Sequence, residues 1–375
     1  METMGSGARP TACLRQLRAA GLAAAALLLL GGCSTAGYYA QAVGGHVRLM
    51  TAARPVEQWL ADPTASADLK QRLELAQRIR RFAADELGLP DNASYTAYAN
   101  LGRPAVVWNV FATPELSLQL KSWCYPVLGC ASYRGYFAQA DAQAHADALR
   151  AAGYDVNVAP VPAYSTLGWT NWLGGDPLLS TFIHWPEAEL ARLIFHELAH
   201  QVVYVSGDTV FNESFATAVE RAGLQRWIEA AGRPELSAAV AQADARRADF
   251  LALLLEHRQM LVAAYSASVG DDEKRIRKRA VFEALQAAYQ RLRADRWGGF
   301  SGYDRFFSRE LNGAHLAAVA AYNDLVPAFE ALLAQQRGDL RTFFVQVQQL
   351  ARLPETERRA ALARLTTAPV ARAAH

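Results

Sequence analysis

The sequence predicts an α+β fold, a small mixed sheet followed by a mainly helical lobe, and three observations predict it. Between about 90 and 160, short aromatic and β-branched stretches are separated by Pro, Gly and Asn, the pattern of strands and turns. From Glu187 the apolar residues change to helical spacing. After Gly232 that spacing continues almost to the end of the chain.

Element by element, residues 38–61 and 66–88 read as helices, the second closed by Gly88-Leu89-Pro90. Residues 94–99, 105–111, 116–120, 133–137 and 154–158 read as strands, with a helix over 139–152 among them. Two helices follow, one from Pro186 to about 203 and one from Phe211. Beyond Gly232 the spacing predicts helices over 235–266, 272–296, 312–336 and 338–351, with a loose tail from about 366. The sheet-containing lobe is expected over about 90–205 and the helical lobe over about 206–365.

The chemistry concentrates in 191–217. His196-Glu197-Leu198-Ala199-His200 places two histidines at i and i+4, so both rings leave one face of a helix. That spacing suits one metal ion, with Glu197 beside it as general base. Leu190, Ile194, Leu198 and Val202 form an apolar row on the other side, extended by Phe195, Ala199 and Val203. The helix is therefore expected to be buried, and buried histidines need partners. Pro186 suits its first turn, and Glu187 and Glu189 suit its positive end.

A third ligand follows within a few residues. Glu213, near the start of the second helix, would complete a His₂Glu zinc site with a position left for water. Asp208, in the Gly207-Asp208 turn, is the alternative, with helix capping as its ordinary role. Helix-mounted ligands are held more firmly, which favours Glu213. Glu220, two turns on, reads as a supporting or surface residue.

The N-terminus predicts export. Arg9, Arg15 and Arg18 precede an apolar run from Gly21 to Leu30 that is too short to span a membrane stably. Leu30-Gly31-Gly32-Cys33 is a lipobox: residues 1–32 form a signal, cut before a lipid-modified Cys33, and 33–375 form the mature protein. Ser34 favours the outer membrane of a Gram-negative envelope, with the body held at its periplasmic face. Of four cysteines, Cys13 leaves with the signal, and Cys124 and Cys130 bracket a Pro- and Gly-containing turn where a disulfide is expected. Removing Arg9, Arg15, Arg18 and Glu2 leaves 35 basic and 35 acidic residues, so charge gives no case for nucleic acid. The basic run at 274–279 reads as a solvated helix face.

The pair Phe195-His196-Glu197-Leu198-Ala199-His200-Gln201 and Phe211-Asn212-Glu213-Ser214-Phe215-Ala216 resembles a gluzincin, a zincin metallopeptidase. More closely, the mature chain resembles a bacterial putative aminopeptidase family. The matching segments include Ser122-Trp123-Cys124-Tyr125-Pro126, Tyr133-Arg134-Gly135-Tyr136-Phe137, Asp176-Pro177-Leu178-Leu179-Ser180-Thr181 and Leu311-Asn312-Gly313-Ala314-His315-Leu316. The resemblance implies a zincin-like fold with the site between its lobes, one catalytic zinc ion and a peptide substrate. It also implies a tyrosine from the C-terminal lobe to stabilise the oxyanion, for which Tyr322 and Tyr303 are the candidates and His315 a weaker one. Residues 164–181 are expected to offer an edge for the substrate backbone, and Asp176 is a candidate for its ammonium. The competing class is an envelope binding or scaffold lipoprotein on a zincin fold that has lost catalysis. The intact His196, Glu197, His200 and Glu213 favour the enzyme, either an aminopeptidase or an endopeptidase.

Overall fold

The computed structural model describes residues 37–125, 129–163, 175–320 and 324–367. Cys33, Tyr322 and residues 164–174 lie outside them. The chain divides into two compact units, Met1–Leu49 and Met50–His375. Residues 37–52 form helix α1. Everything below concerns the second unit, which is α+β and largely helical.

Among the described residues three small sheets stand where one mixed sheet was expected. β2 (Ala97–Ala99) pairs antiparallel with β1 (Arg54–Pro55) and parallel with β8 (Leu178–Leu179), and only this sheet is mixed. β3 (Val107–Pro114) is the centre of an antiparallel sheet ordered β6-β3-β7, with β6 (Arg134–Tyr136) and β7 (Tyr154–Val161). β4 (Trp123–Tyr125) and β5 (Gly129–Ala131) form a hairpin closed by the Cys124–Cys130 disulfide.

Two sequence expectations need correction here. The helix expected over 38–61 is interrupted: α1 stops at residue 52, Arg54 and Pro55 form β1, and Pro55, which lacks an N–H, stands at the N-cap of α2 (Val56–Ala61). Residues 116–120 are not a strand. Pro114 ends β3, a turn follows with Ser117 N–H donating to Pro114 O, and Lys121 N–H donates back to Ala112 O.

Helices α3 (Ala67–Asp85), α5 (Glu187–His200) and α6 (Thr209–Ala231) pack together and carry the core that holds the site. Leu190, Ile194, Phe195 and Leu198 of α5 are at most 1% exposed. Each such burial contributes about 1.5–3 kcal/mol. Gly223 lets α5 and α6 approach: a Cβ there would meet Phe195 at 2.9 Å and Leu87 at 2.7 Å. On the other side of α6, Phe211 and Phe215 pack edge-on against Phe329 of α11 (Val326–Gln335), and Phe215 also meets Phe343 of α12 (Leu340–Ala351).

The remaining elements frame these. α4 (Gln139–Ala151) buries Ala142, Ala146 and Leu149 and packs on β3 and β7. α7 (Pro234–Ser266) and α8 (Asp271–Asp295) pack as a long pair, with the short α9 (Asp304–Phe307) beside them. α10 (Gly313–Ala320) packs on α7 and on β3 and β7. The basic run on α8 is only partly a solvated face: Arg275 pairs with Glu115 at 3.0 Å and Lys278 with Asp155 at 2.7 Å. A final helix, α13 (Glu355–Thr367), lies where the sequence had suggested no element before the tail, and it packs on α11 and α12. Among the described residues no helix is long and apolar enough to cross a membrane.

Candidate metal centre

α5 begins after Pro186, with Glu187 and Glu189 in its first turn. Its apolar row is buried, which turns the opposite face, with His196, Glu197 and His200, towards α6 and a cleft. α6 begins one short turn later. Asp208 is its N-cap, accepting from Phe211 N–H at 3.1 Å. Asn212 fixes the turn itself, accepting from Val205 N–H and donating to Val205 O, both at 2.8 Å. Glu213, one residue on, faces back to the histidines.

The result is a compact donor set. His196 Nε2 lies 3.2 Å from His200 Nε2 and 3.2 Å from Glu213 Oε2, and His200 Nε2 lies 3.8 Å from Glu213 Oε1. One ligand atom from each of the three residues fits within a 4.8 Å span. Zinc–donor bonds of about 2.05 Å in a tetrahedron separate their donors by about 3.3 Å, close to these spacings. The donor set is two imidazoles and a carboxylate, a chemistry that suits zinc and other divalent transition metals. His200 is 6% exposed, and its Nε2 meets only His196 and Glu213 among the described residues, two groups that would share a metal ion with it. The residues therefore fit a metal ion.

Glu220 supports the centre. Its Oε2 lies 2.9 Å from His196 Nδ1, which fixes the ring and leaves Nε2 facing the other donors. Arg192, one turn before His196 and 5% exposed, lies 3.8 Å from the other Glu220 oxygen and pairs with Asp244 of α7. The chain's own charges set the protonation. Burial alone would lower His196, but Glu213 and Glu220 at its two nitrogens outweigh that and hold the imidazole well above its usual range. Burial pushes His200 down to about 4. Glu213 would be raised by burial, yet its bond to His196 and the charge of both histidines bring it below the usual carboxylate range.

One prediction follows from these directions. These directions favour a charged imidazole at His196 and a neutral one at His200 near pH 7 in the metal-free chain. Zinc uptake should therefore release about one proton per chain. Calorimetric titration of zinc in buffers of different ionisation enthalpy measures that number, and no release would mean that His196 is neutral.

The competing carboxylate is engaged elsewhere. Asp208 Oδ2 accepts from Arg358 at 2.8 and 3.1 Å, and Oδ1 from Arg359 at 2.6 Å, both on α13. Asp208 and Arg358 side chains are 4% and 5% exposed. Asp208 thus ties the turn under the site to α13, and Glu213 is the carboxylate that stands with the two histidines in a group able to hold a metal.

Glu197 lines a cleft of about 970 Å³ between α5, α6, α7 and the face of β3 and β7 that carries Asn109, Phe111 and Ala159. Nearby, the segment 92–96 is fastened to the end of α5: Asn92 donates to Gln201 at 2.7 Å, and Gln201 donates to Ser94 Oγ at 3.1 Å. Tyr95 in this segment has φ 65° and is 2% exposed, a strained backbone for a bulky residue. Its N–H donates to Asp176 O at 2.7 Å, and its C=O accepts from Gln77 at 2.6 Å. Gly175, at φ 66°, admits this close approach, since a Cβ there would lie 2.5 Å from Ser94 N. Burial, then the charges of Glu197 and Asp176, push the Tyr95 phenol well above its usual range, so it stays neutral.

The other sequence candidates sit differently. Tyr303 stacks on Phe250 with ring centroids 4.2 Å apart and touches Trp297 and Phe300, and no described contact joins it to the histidines. Asp176 is 1% exposed and packed against Ser94 and Tyr95. His315 is 5% exposed and bonded to Asn312, and it also lines the cleft. Sequence reasoning passed over Arg192, Tyr95 and Tyr204. Arg192 is at i−4 from His196 on α5, so helical spacing could have flagged it, whereas Tyr204 lies beyond the end of α5. Burial and the charge of Glu213 raise the half-exposed Tyr204 phenol. Tyr95 gives no sequence signal.

Two histidines and a carboxylate from an antiparallel helix pair, beside a glutamate-lined cleft, define a candidate mononuclear metal centre. The chain belongs to the Aminopep family, described as putative aminopeptidase, whose model matches residues 37–362. That family's name is that of a peptidase. No curated protein and no solved structure matches the chain.

Proposed function

We propose that this protein is a zinc-dependent peptidase of zincin-like architecture, and specifically an aminopeptidase of the bacterial envelope. The observation that carries the reading is the His196–His200–Glu213 donor set with Glu197 on the same cleft. His196, His200 and Glu213 would hold the ion, which when bound supplies an acidified water and a polarised carbonyl. Glu197 takes the proton of the attacking water and delivers it to the leaving amine. Glu220 keeps His196 oriented for its task. A neutral phenol is the group suited to the developing oxyanion. Tyr322 and Tyr303 remain the candidates from the C-terminal part, and Tyr204 is a third because Glu213 acts on its phenol.

The aminopeptidase reading rests on the family name and is tested with paired peptides. Purified protein is expected to carry about one zinc per chain by elemental analysis. It is expected to cleave peptides with free N-termini and to lose that cleavage when the N-terminus is acetylated. Equal cleavage of both would make it an endopeptidase. Zinc without hydrolysis across a broad library would favour an envelope binding protein.

Anchoring through Cys33 is part of the proposal, supported by the lipobox at Leu30–Cys33. Cys33→Ser should abolish acylation and leave the precursor uncut. Wild-type protein recovered without acyl groups in the soluble periplasm would overturn it.

A further inference from the structure

A second cleft, of about 1040 Å³, opens on the other face of the β6-β3-β7 sheet and has no part in the hydrolysis proposed above. Strand alternation separates the two. Trp108 and Pro160, paired across β3 and β7, line the second cleft, whereas their neighbours Asn109 and Ala159 line the metal cleft. The clefts meet at Asn157 and His315, which border both.

The second cleft is rich in arginine. Arg275 and Lys278 are neutralised there by Glu115 and Asp155, and Arg150 pairs with Asp147. Arg279, Arg305 and Arg309 line the same cleft, and their guanidinium groups make no ion pair among the described residues. Glu283 and Glu310 also reach the cleft without bonding to any of the three. The floor reports the resulting field. His315 is pushed down to about 4, first by burial and then by Arg309 and Arg150. An arginine fork is planar, permanently charged and matched to two oxygens of one anion.

We propose that this cleft binds a small multivalent oxyanion, of phosphate or clustered-carboxylate chemistry, through Arg279, Arg305 and Arg309. The ligand would bridge α8 and the α9–α10 connection.

The test is isothermal titration of full-length protein with inorganic phosphate and, separately, with tricarballylate, against sodium chloride at matched ionic strength. Saturable binding of at least one is expected, and the two arms distinguish phosphate from carboxylate. The Arg305→Gln/Arg309→Gln double variant should weaken it by about tenfold or more, and Arg352→Gln, exposed and outside the cleft, should not. Arg279 is exposed and unpaired, so Arg279→Gln provides a second variant whose folding does not depend on a lost contact. The His315 ring resonance, assigned with His315→Gln, should move on binding. Binding should also survive chelator treatment, which separates this site from the metal centre and keeps the test independent of the peptidase reading. No saturable binding of either anion would overturn the proposal. So would affinity unchanged in both arginine variants, or binding that disappears with the metal.

Discussion

On the proposed zinc-peptidase reading, Glu197→Gln is expected to keep its metal and its fold and to lose peptide hydrolysis by about 10²- to 10⁴-fold. Gln matches Glu in size and hydrogen-bonding reach but cannot accept the water's proton. Glu197 is absent from the donor set, so metal content by elemental analysis should stay near one per chain. The side chain is only partly buried, and its loss should shift the melting temperature little. Full activity in the variant would remove Glu197 from the chemistry. Loss of both zinc and activity would instead make it part of the metal's support.

The second large effect separates two carboxylates five residues apart. Glu213→Ala should fold and lose metal affinity by more than the 10- to 100-fold usual for a supporting residue. Asp208→Ala should act on the fold. It leaves Arg358 buried without its partner, which costs about 3–5 kcal/mol. Denaturant unfolding of the metal-free proteins shows this without interference from zinc. Glu220→Gln provides the scale, because it removes the charge beside His196 Nδ1 and Arg192 without touching the donor set, and it should fall in the 10- to 100-fold range. If Asp208→Ala kept its stability and lost the metal, the ligand assignment would be reversed.

The contrast between these carboxylates shows what the sequence could carry. The α5–α6 pair was legible because its apolar row and its histidines obey one period, and burial of the row fixes where the histidines point. Glu213 was legible as a neighbour of the histidines because it opens the next helix. Asp208 was legible only as an alternative, since its partners lie 150 and 151 residues away. Those partners sit on α13, whose charged surface gave no apolar period to read: it shows Glu355, Glu357, Arg359 and Arg364, with Arg358 and Leu362 turned inward. Residues 116–120 read as a strand by composition, but strand pairing depends on a partner that sequence does not supply. Tyr95 is the extreme case. Its left-handed backbone is imposed by Asp176 and Gln77, and no local rule places a tyrosine there.

The tie between Asp208 and α13 also has a kinetic meaning. His196, Glu213 and Glu220 fall within a span of 24 residues, whereas Asp208 and Arg358 close a loop of 150. Closing the longer loop costs roughly 1.6 kcal/mol more in chain entropy. On loop entropy alone, the donor set is expected to gather before α13 is placed, and the tie to close later. Contacts that form after the folding barrier act mainly on the rate of opening. Asp208 and Arg358 would then govern how long a captured ion is retained, and the local helix pair how readily it enters.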